Sequence, residues 1–165
     1  MSEHRRDQKA QAKIVLVITS DSRTILDDET GKLAKTLLEN EGHTVNAHVI
    51  VPNDVIKIKT TVEGFLADNG LDVIITSGGT GVSSRDHTVD TVSGLLSREL
   101  NGFGELFRRL SYDEIGVPAM FSRAKMGIAN GKIVVCLPGS KGAMRTALKE
   151  IILPSLGHLL WEVNR

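Results

Sequence analysis

A glycine-rich turn and an acidic residue just behind it are the parts of this chain best suited to bind phosphate. The turn consists of Gly78, Gly79, Thr80 and Gly81. Because glycine adopts positive φ angles and carries no side chain, such a turn brings backbone N–H groups close to an anion. A tight turn without a ligand is the alternative. The turn follows an apolar strand and leads into Ser83-Ser84-Arg85-Asp86, which favours the ligand-binding interpretation.

Asp86 is the candidate metal-binding and catalytic residue. A carboxylate repels bound phosphates unless it holds a cation, and Mg²⁺ is a hard ion that prefers oxygen ligands and retains water. The competing interpretation is that Asp86 caps a helix beginning near Thr88. Asp54 has a similar alternative as a helix cap after Pro52, and Asp21 as the residue that closes a turn.

Two further polar segments follow apolar strands. Ser20-Asp21-Ser22 comes after the first strand, and Pro138-Gly139-Ser140 comes after the last one. Ligands of open parallel sheets bind beyond the carboxyl ends of the strands, so these segments and the glycine turn predict one phosphate site. Ser140 has an equal alternative role as the cap of the helix that follows.

Basic side chains near these segments could neutralise phosphate charge, or could form exposed salt bridges instead. They are Arg85, Arg123 and Lys141. Ser122 stands beside Arg123 ahead of a strand, and His87 beside Asp86 is a candidate contact. Glu105 is a candidate site carboxylate, although a position on a helix surface is the commoner role for this residue type.

Several other chemistries are excluded. The chain carries no G-x-x-x-x-G-K-[ST], which excludes a P-loop NTPase, and Ser84 stands where a dinucleotide-binding turn needs its third glycine. The five histidines lack the spacing of a zinc site. Cys136 lies in an apolar strand, which favours a buried, inert thiol.

Composition predicts one globular domain without a nucleic-acid or membrane partner. The 165 residues are 41% hydrophobic, and 20 basic residues balance 20 acidic ones. Zero net charge gives no general attraction to nucleic acid or anionic lipid and little repulsion between copies, so a homo-oligomer is expected. A single cysteine and the lack of an export signal or a run of about 20 apolar residues predict a cytoplasmic protein.

The order of elements predicts an α/β, three-layer fold. Strands from Lys13, at 43–51 and at 73–76 alternate with helices from about Thr30 and from Pro52. Right-handed crossovers turn this alternation into a mostly parallel sheet with helices on both faces.

The second half of the chain is predicted to complete the sheet. Helices are expected at Thr88 to Leu96 and around 103–111, followed by one antiparallel hairpin with a type I′ turn at Asn130-Gly131. A closing helix starts at Ser140 and is expected to kink or break at Pro154. Residues 1–12 are predicted to be a flexible arm, and residues 13–165 a single domain.

Four motifs in this order and approximate spacing resemble the MoaB/MogA family of molybdenum cofactor biosynthesis. They are Thr76-Ser-Gly-Gly-Thr-Gly81 with Arg85-Asp86, Gly102-Phe-Gly-Glu105, Ser122-Arg123 and Leu137-Pro-Gly-Ser140. The resemblance runs from about Lys13 to the C-terminus. The stretch 102–116 is more similar to the MoaB branch.

The resemblance implies an α/β fold that forms trimers, or hexamers in the MoaB branch, and binds molybdopterin and a nucleotide. Active members transfer AMP from Mg·ATP to the terminal phosphate of molybdopterin and release pyrophosphate. By motif, Asp86 falls on the catalytic aspartate and Pro138, Gly139 and Ser140 on a nucleotide-binding loop. Other enzymes of the pathway are expected partners, and Phe103 to Ile115 is a candidate interface between copies.

One departure from the family pattern bears on activity. The MogA-like pattern has Pro-Asp where this sequence has Pro52-Asn53, with Asp54 one residue later. Three functions therefore stay open. The first is a molybdopterin adenylyltransferase in which Asn53 or Asp54 serves at that position, and the second is a non-catalytic molybdopterin-binding or assembly protein. A domain acting on another nucleotide is a third possibility.

Overall fold

One sheet organises the part of the chain that the computed structural model describes, residues 11–165. Its strands are β1 (Lys13–Thr19), β2 (Thr44–Val51), β3 (Val73–Ser77), β4 (Arg98–Glu99), β5 (Lys125–Ala129) and β6 (Lys132–Leu137). Their order in the sheet is β2-β1-β3-β6-β5-β4. The first four strands in this order are parallel, and β5 and β4 continue the sheet in antiparallel pairings.

Helices cover both faces of the sheet. They are α1 (Glu29–Asn40), α2 (Val55–Leu66), α3 (Thr88–Ser93), α4 (Asn101–Ile115), α5 (Lys141–Thr146) and α6 (Leu153–Asn164). Helices α1, α4, α5 and α6 pack on one face, and α2 and α3 pack on the other. A 3₁₀ helix (Val117–Phe121) follows α4, and a π-helical turn (Ala147–Ile152) joins α5 to α6. The predicted three-layer α/β fold is confirmed.

The continuous apolar run of β1 packs against the helices on both faces of the sheet. Ile14 and Leu16 face the core under α1 and α4, whereas Val15 and Val17 face the core under α2. All four side chains are at most 1% exposed. A central parallel strand is buried on both faces, which is why its sequence shows no alternation of apolar and polar residues.

The register of the parallel strands brings three polar segments to one edge. Ile18 of β1 pairs with Ser77 of β3, and Ser77 pairs with Leu137 of β6. The residues that follow these three positions therefore leave the sheet side by side. This arrangement places Ser20-Asp21, the glycine turn and Pro138-Gly139-Ser140 together, as the sequence predicted.

The predicted hairpin of β5 and β6 is confirmed, but the sequence did not predict strand β4, which pairs with the other edge of β5. Asn130 and Gly131 have φ angles of 47° and 70°, as a type I′ turn requires. Helix α3 ends at Ser93 rather than at Leu96, because the chain there turns into β4, which pairs with β5. The two exposed residues of β4, Arg98 and Glu99, carry no apolar pattern from which a strand could be predicted.

The closing helix does not break at Pro154. The π-helical turn directly precedes α6, and Pro154 lies in the first turn of α6. Proline removes a backbone donor and crowds the carbonyl one turn earlier, and the wider π turn accommodates this crowding without ending the helical path.

The predicted arm falls largely outside the described residues. Residues 1–10 are not part of the described structure. Ala12 directly precedes β1, is 1% exposed, and donates its N–H to His43 Nδ1 at 3.1 Å. The arm prediction is therefore wrong at Ala12, which is held in the folded domain. Burial lowers the pKa of His43.

Among residues 11–165, none of the helices has the length and apolar character that a membrane-spanning helix needs.

Candidate functional site

The glycine turn is held in a conformation that only glycine allows. Gly78 has a φ of 100°, and a Cβ atom there would lie 2.5 Å from the backbone oxygen of Thr19. Gly79 has a φ of 68°, and a Cβ atom there would collide with the Thr88 hydroxyl. The Gly78 N–H donates to Leu137 O at 2.9 Å. The turn is thus packed between the ends of β1 and β6 and the start of α3.

Asp86 folds back onto the glycine turn. Its Oδ2 accepts a hydrogen bond from the Ser83 N–H at 2.9 Å and lies 2.8 Å from where a Cβ of Gly81 would be. Helix α3 begins after His87, and no side chain of the described residues caps it. The helix-cap interpretation of Asp86 is therefore wrong, and its carboxylate lies beside the turn.

Arg123 also stabilises the glycine turn through hydrogen bonds. Its Nε donates to Gly81 O at 2.9 Å, and its backbone N–H donates to Thr80 O at 3.0 Å. Its Nη1 and Nη2 donate to the Asp90 carboxylate at 2.7 and 3.0 Å. These hydrogen bonds lower the pKa of Asp90 and raise that of Arg123. Arg123 thus stabilises the turn by hydrogen bonds and is paired with Asp90, so it is not a free cation.

Asn53, and not Asp54, lies against the loop that carries Asp86. The Asn53 N–H donates to Asp21 Oδ1 at 2.8 Å, and its side-chain amide donates to the carbonyl of Arg85. Arg85 also forms an exposed ion pair with Asp21 at 3.7 Å. Asp54 Oδ1 instead accepts from the Lys57 N–H at 2.9 Å and caps α2.

The segment Pro138 to Ser140 packs directly on the glycine turn. A Cβ atom on Gly139 would lie 3.6 Å from the Cα of Gly78. Ser140 caps α5, since its Oγ accepts from the Ala143 N–H at 3.1 Å. This bond uses a lone pair of the hydroxyl, so its proton can still be donated to a ligand.

A cavity of about 370 Å³ lies over these two turns. One wall is the glycine turn from Gly79 to Gly81, Asp86, and the segment Pro138 to Ser140. The other wall comes from α4 and the 3₁₀ helix and includes Phe107, Ser111, Glu114, Ile115 and Phe121. This second wall could not be predicted from the sequence, because α4 meets the turns only in the folded chain.

Glu105 lies in a different cavity from Asp86. This second cavity, of about 580 Å³, is also lined by Asn101, Arg108 and Lys125. Ser122 lines both cavities, so the two adjoin at this residue. The structure therefore separates Glu105 from the glycine turn and places it beside a neighbouring space.

Eight of the candidates line neither of these two cavities: Ser20, Asp21, Asn53, Asp54, Gly78, Arg85, His87 and Lys141. Ser20 Oγ accepts hydrogen bonds from the N–H groups of Ser22 and Arg23, so it closes its own turn. Lys141 is exposed at the start of α5, and His87 is half-buried ahead of α3. No group of three or more His, Cys, Asp or Glu side chains suited to a metal occurs in the described part of the chain.

The same arrangement of turns and sheet occurs in a known family. A family model described as "Probable molybdopterin binding domain" matches residues 15–158. The chain belongs to this molybdopterin-binding family. Molybdenum cofactor biosynthesis protein B of Bacillus anthracis is 42% identical over 166 residues, spanning 100% of this chain and 98% of that protein. The protein of the same name from Bacillus subtilis is 36% identical, with the same coverage.

Solved structures of the family share the fold. A crystal structure of a molybdenum cofactor biosynthesis protein B matches with a TM-score of 0.92 at 43% identity, covering 95% of this chain and 98% of that one. The tungsten cofactor synthesizing protein MoaB from Pyrococcus furiosus matches with a TM-score of 0.84 at 34% identity, covering 94% and 98%. The resemblance to the MoaB/MogA family is confirmed.

Cys136 is expected to be unreactive in the folded protein. Burial raises the pKa of its thiol to about 11, from an ordinary value of 9.0. About one thiol in a thousand is then ionised at pH 8, and the thiolate is the reactive form. We expect 5,5′-dithiobis(2-nitrobenzoate) to release no thionitrobenzoate from native protein and one equivalent after unfolding in urea. Release from native protein within minutes would contradict this.

The same shift predicts a loss of stability in alkali. Because the folded pKa lies above the unfolded one, the Cys136 thiol contributes its full share of stability below about pH 9. That share is lost as the pH rises toward 11. Urea midpoints measured across this range in wild type and Cys136→Ser are expected to converge as the pH increases.

Proposed function

We propose that this protein takes part in molybdenum cofactor biosynthesis by transferring AMP from ATP to the terminal phosphate of molybdopterin. One observation carries the proposal: Asp86 lines the same cavity as the backbone of the glycine turn and the Pro138 to Ser140 segment. A carboxylate beside two anion-binding turns matches what a nucleotide with its cation needs. Family membership supplies the pterin as the second substrate.

The transfer requires alignment more than a covalent nucleophile. A phosphate oxygen of molybdopterin forms a bond to the α-phosphorus of ATP, the bond from that phosphorus to the bridging oxygen breaks, and pyrophosphate leaves with the electron pair. Such a reaction depends on positioning and on stabilising the charge of the phosphoryl oxygens. The N–H groups of the glycine turn and the O–H of Ser140 are donors suited to this task.

The residues present fit Mg²⁺. This ion retains several waters and is usually held by one or two carboxylates together with substrate phosphates. Asp86 offers one such carboxylate, which agrees with the lack of a three-ligand cluster among residues 11–165. Asp86 would hold the ion, and the ion, when bound, neutralises triphosphate charge.

Two adjoining cavities support a reaction between two substrates. The smaller cavity has the phosphate-binding turns, and the larger one has a carboxylate at Glu105 and basic groups at Arg108 and Lys125. Ser122 lines both cavities, so ligands bound in the two cavities would meet beside Arg123, which is hydrogen-bonded to the glycine turn. A nucleotide in the first and a pterin in the second is the assignment we propose.

The direct test is product formation by the purified protein. Wild-type protein incubated with molybdopterin and Mg·ATP is expected to yield molybdopterin-AMP and pyrophosphate. The absence of any product would remove the enzymatic part of the proposal. Calorimetry with ATP, GTP and CTP would in the same preparation separate an adenine-specific site from a site for another nucleotide.

A non-catalytic molybdopterin-binding or assembly role is the second candidate. Asn53 favours it, because the carboxylate of the MogA-like pattern is missing here and the Asn53 amide donates to the Arg85 carbonyl instead. Asp54, the nearest carboxylate in sequence, caps α2 instead. Tight molybdopterin binding without ATP turnover, in both wild type and Asn53→Asp, would support this role over the transferase.

A homo-oligomer is also part of the proposal. Phe103 and Phe107 lie in the core, so only the outer side of the Phe103 to Ile115 segment can form an interface. Exposed apolar side chains there continue into the 3₁₀ helix: Leu106, Tyr112, Ile115, Val117, Met120 and Phe121. Ile115 and Phe121 also line the smaller cavity and Met120 the larger one, so the part of the patch outside the cavities is Leu106, Tyr112 and Val117. Exposed apolar patches of this kind support a protein contact.

Light scattering at micromolar concentration tests the oligomer. Wild-type protein is expected to show at least three times the chain mass, as the family resemblance implies, and Val117→Asp with Met120→Asp is expected to lower it. Ile56→Asp, at an exposed apolar position on α2, is the control and should leave the mass unchanged. A monomeric wild type would contradict the prediction.

A further inference from the structure

A fully buried carboxylate lies outside the two cavities. Asp28 is 0% exposed and caps α1, where its Oδ1 accepts from the Gly31 N–H at 3.2 Å. His48 of β2 places its Nε2 only 2.6 Å from Asp28 Oδ2. Arg23 lies 3.7 Å from Asp28 Oδ1. Helix α1, strand β2 and the loop after β1 therefore converge on one carboxylate.

The protein is built closely around this pair. A Cβ atom on Gly31 would collide with both Asp28 Oδ2 and His48 Nε2, so only glycine leaves room for their contact. An ionised carboxylate can only accept hydrogen bonds, so the His48 Nε2 carries the proton and donates it. A buried charge without such partners costs several kcal/mol. Asp28 is thus fixed in place by its neighbours.

Two neighbours of Asp28 reach the nucleotide-binding segment. Thr30, in the first turn of α1, donates its hydroxyl to Gly139 O at 3.1 Å and is 2% exposed. Arg23 Nη1 donates to the same oxygen at 3.2 Å. Arg23, which lies beside the buried carboxylate, and Thr30, two residues after Asp28 in the chain, therefore both donate to one carbonyl of the Pro138 to Ser140 segment.

Because the Gly139 carbonyl is held in place, the orientation of the Ser140 N–H is held as well. The C=O of Gly139 and the N–H of Ser140 belong to one planar trans peptide, so they point in opposite directions. With the Gly139 oxygen held toward α1, the Ser140 N–H is directed away from α1. Rotation of this peptide would break both bonds to the oxygen and turn the N–H with it.

We propose that Asp28 and His48 are positioning residues that act through Arg23 and Thr30 to hold the Gly139–Ser140 peptide in its ligand-binding orientation. The inference rests on the proposed function only where it assigns the nucleotide to this segment. Neither Asp28 nor His48 touches the substrate in this arrangement. Their effect is on the orientation of one peptide at the end of β6.

Hydrogen exchange of the wild type and of paired variants tests the orientation itself. Thr30→Val removes one donor without changing shape, and Thr30→Ser restores it. His48→Phe keeps the ring but removes the partner of Asp28, and His48→Gln restores a donor. We expect amides 139–143 to exchange about fivefold faster in Thr30→Val and faster still in His48→Phe, with the Ser and Gln variants near wild type. Ser97→Ala, which removes a hydroxyl-to-carbonyl bond at the edge strand, should change nothing in this segment.

ATP binding by calorimetry separates this inference from the proposed function. Faster exchange together with a Kd raised about fivefold, rescued by Thr30→Ser, supports both; in turnover the KM for ATP rises while kcat is kept. Faster exchange with ATP binding absent or unchanged supports the positioning and removes the nucleotide from this segment. Unchanged exchange in both Thr30→Val and His48→Phe overturns the inference, whatever the ATP result.

Discussion

Replacing Asp86 by asparagine is expected to lower the rate of molybdopterin-AMP formation about 10²- to 10³-fold while leaving the fold unchanged. Asparagine keeps an oxygen that can accept the hydrogen bond of the Ser83 N–H, which the native carboxylate receives at 2.9 Å. The loop therefore keeps its shape. What is lost is the negative charge that would hold the cation beside the glycine turn.

The measurement is chromatographic detection of molybdopterin-AMP made with Mg·ATP, with the unfolding temperature of each variant as a check on the fold. Asp86→Ala should be at least as inactive, and it also leaves the Ser83 N–H without its acceptor. Asp68→Asn is the matched control, because Asp68 lies in the loop before β3, at the opposite edge of the sheet. A wild-type rate in Asp86→Asn would mean that this carboxylate takes no part in the reaction.

Replacing Gly78 by alanine is expected to destabilise the protein by about 3 kcal/mol and to abolish nucleotide binding. Its φ of 100° disfavours any side chain, and the new Cβ would lie 2.5 Å from the Thr19 oxygen. Because that oxygen belongs to the backbone of a buried strand, the turn must move rather than the strand. A loss of this size lowers the unfolding temperature of a chain of this length by roughly 6 to 12 °C.

Gly42→Ala separates backbone strain from crowding. Gly42 has a φ of 87°, yet no atom of the described chain lies within 4 Å of where its Cβ would be. This variant is expected to lose only about 1 kcal/mol, the cost of the unfavourable φ alone. Equal losses in the two variants would show that the packing of the glycine turn on β1 contributes nothing, and unchanged ATP affinity in Gly78→Ala would contradict a role in binding.

The sequence was a good guide to which strand ends meet. Apolar runs fixed the strands, and the alternation with helices required them to be parallel, so the three polar tips had to leave the sheet at one edge. The type I′ turn was equally predictable, since Asn130-Gly131 can adopt its positive φ angles. These inferences need only local patterns and a rule of topology.

The details of the site depended on contacts between distant residues. Whether Asn53 or Asp54 contacts the loop that carries Asp86 is decided by where α2 begins, and Asp54 is used as its cap. The sequence offered Arg123 as a cation, but its guanidinium donates to the Asp90 carboxylate and to the carbonyls of Gly81 and Asp86. Each outcome follows from side-chain geometry that spacing along the chain does not contain.

The pair of Asp28 and His48 shows the limit of pattern-based prediction. These residues are 20 positions apart and belong to no motif that we identified. Only Gly31, one of 16 glycines, marks the place where they touch, and its importance is visible only when a Cβ atom is placed on it. A buried hydrogen-bonded pair of this kind is found from packing rather than from composition.

The position of β6 in the sheet has a consequence for how the chain folds while it is being synthesised. It is the last strand to leave the ribosome, yet it lies between β3 and β5 and supplies the carbonyl that anchors Gly78. Until it inserts, the edges of both neighbouring strands are exposed, and unpaired edges invite association with other chains. A nascent polypeptide therefore has no pocket to offer a ligand before this central gap is closed.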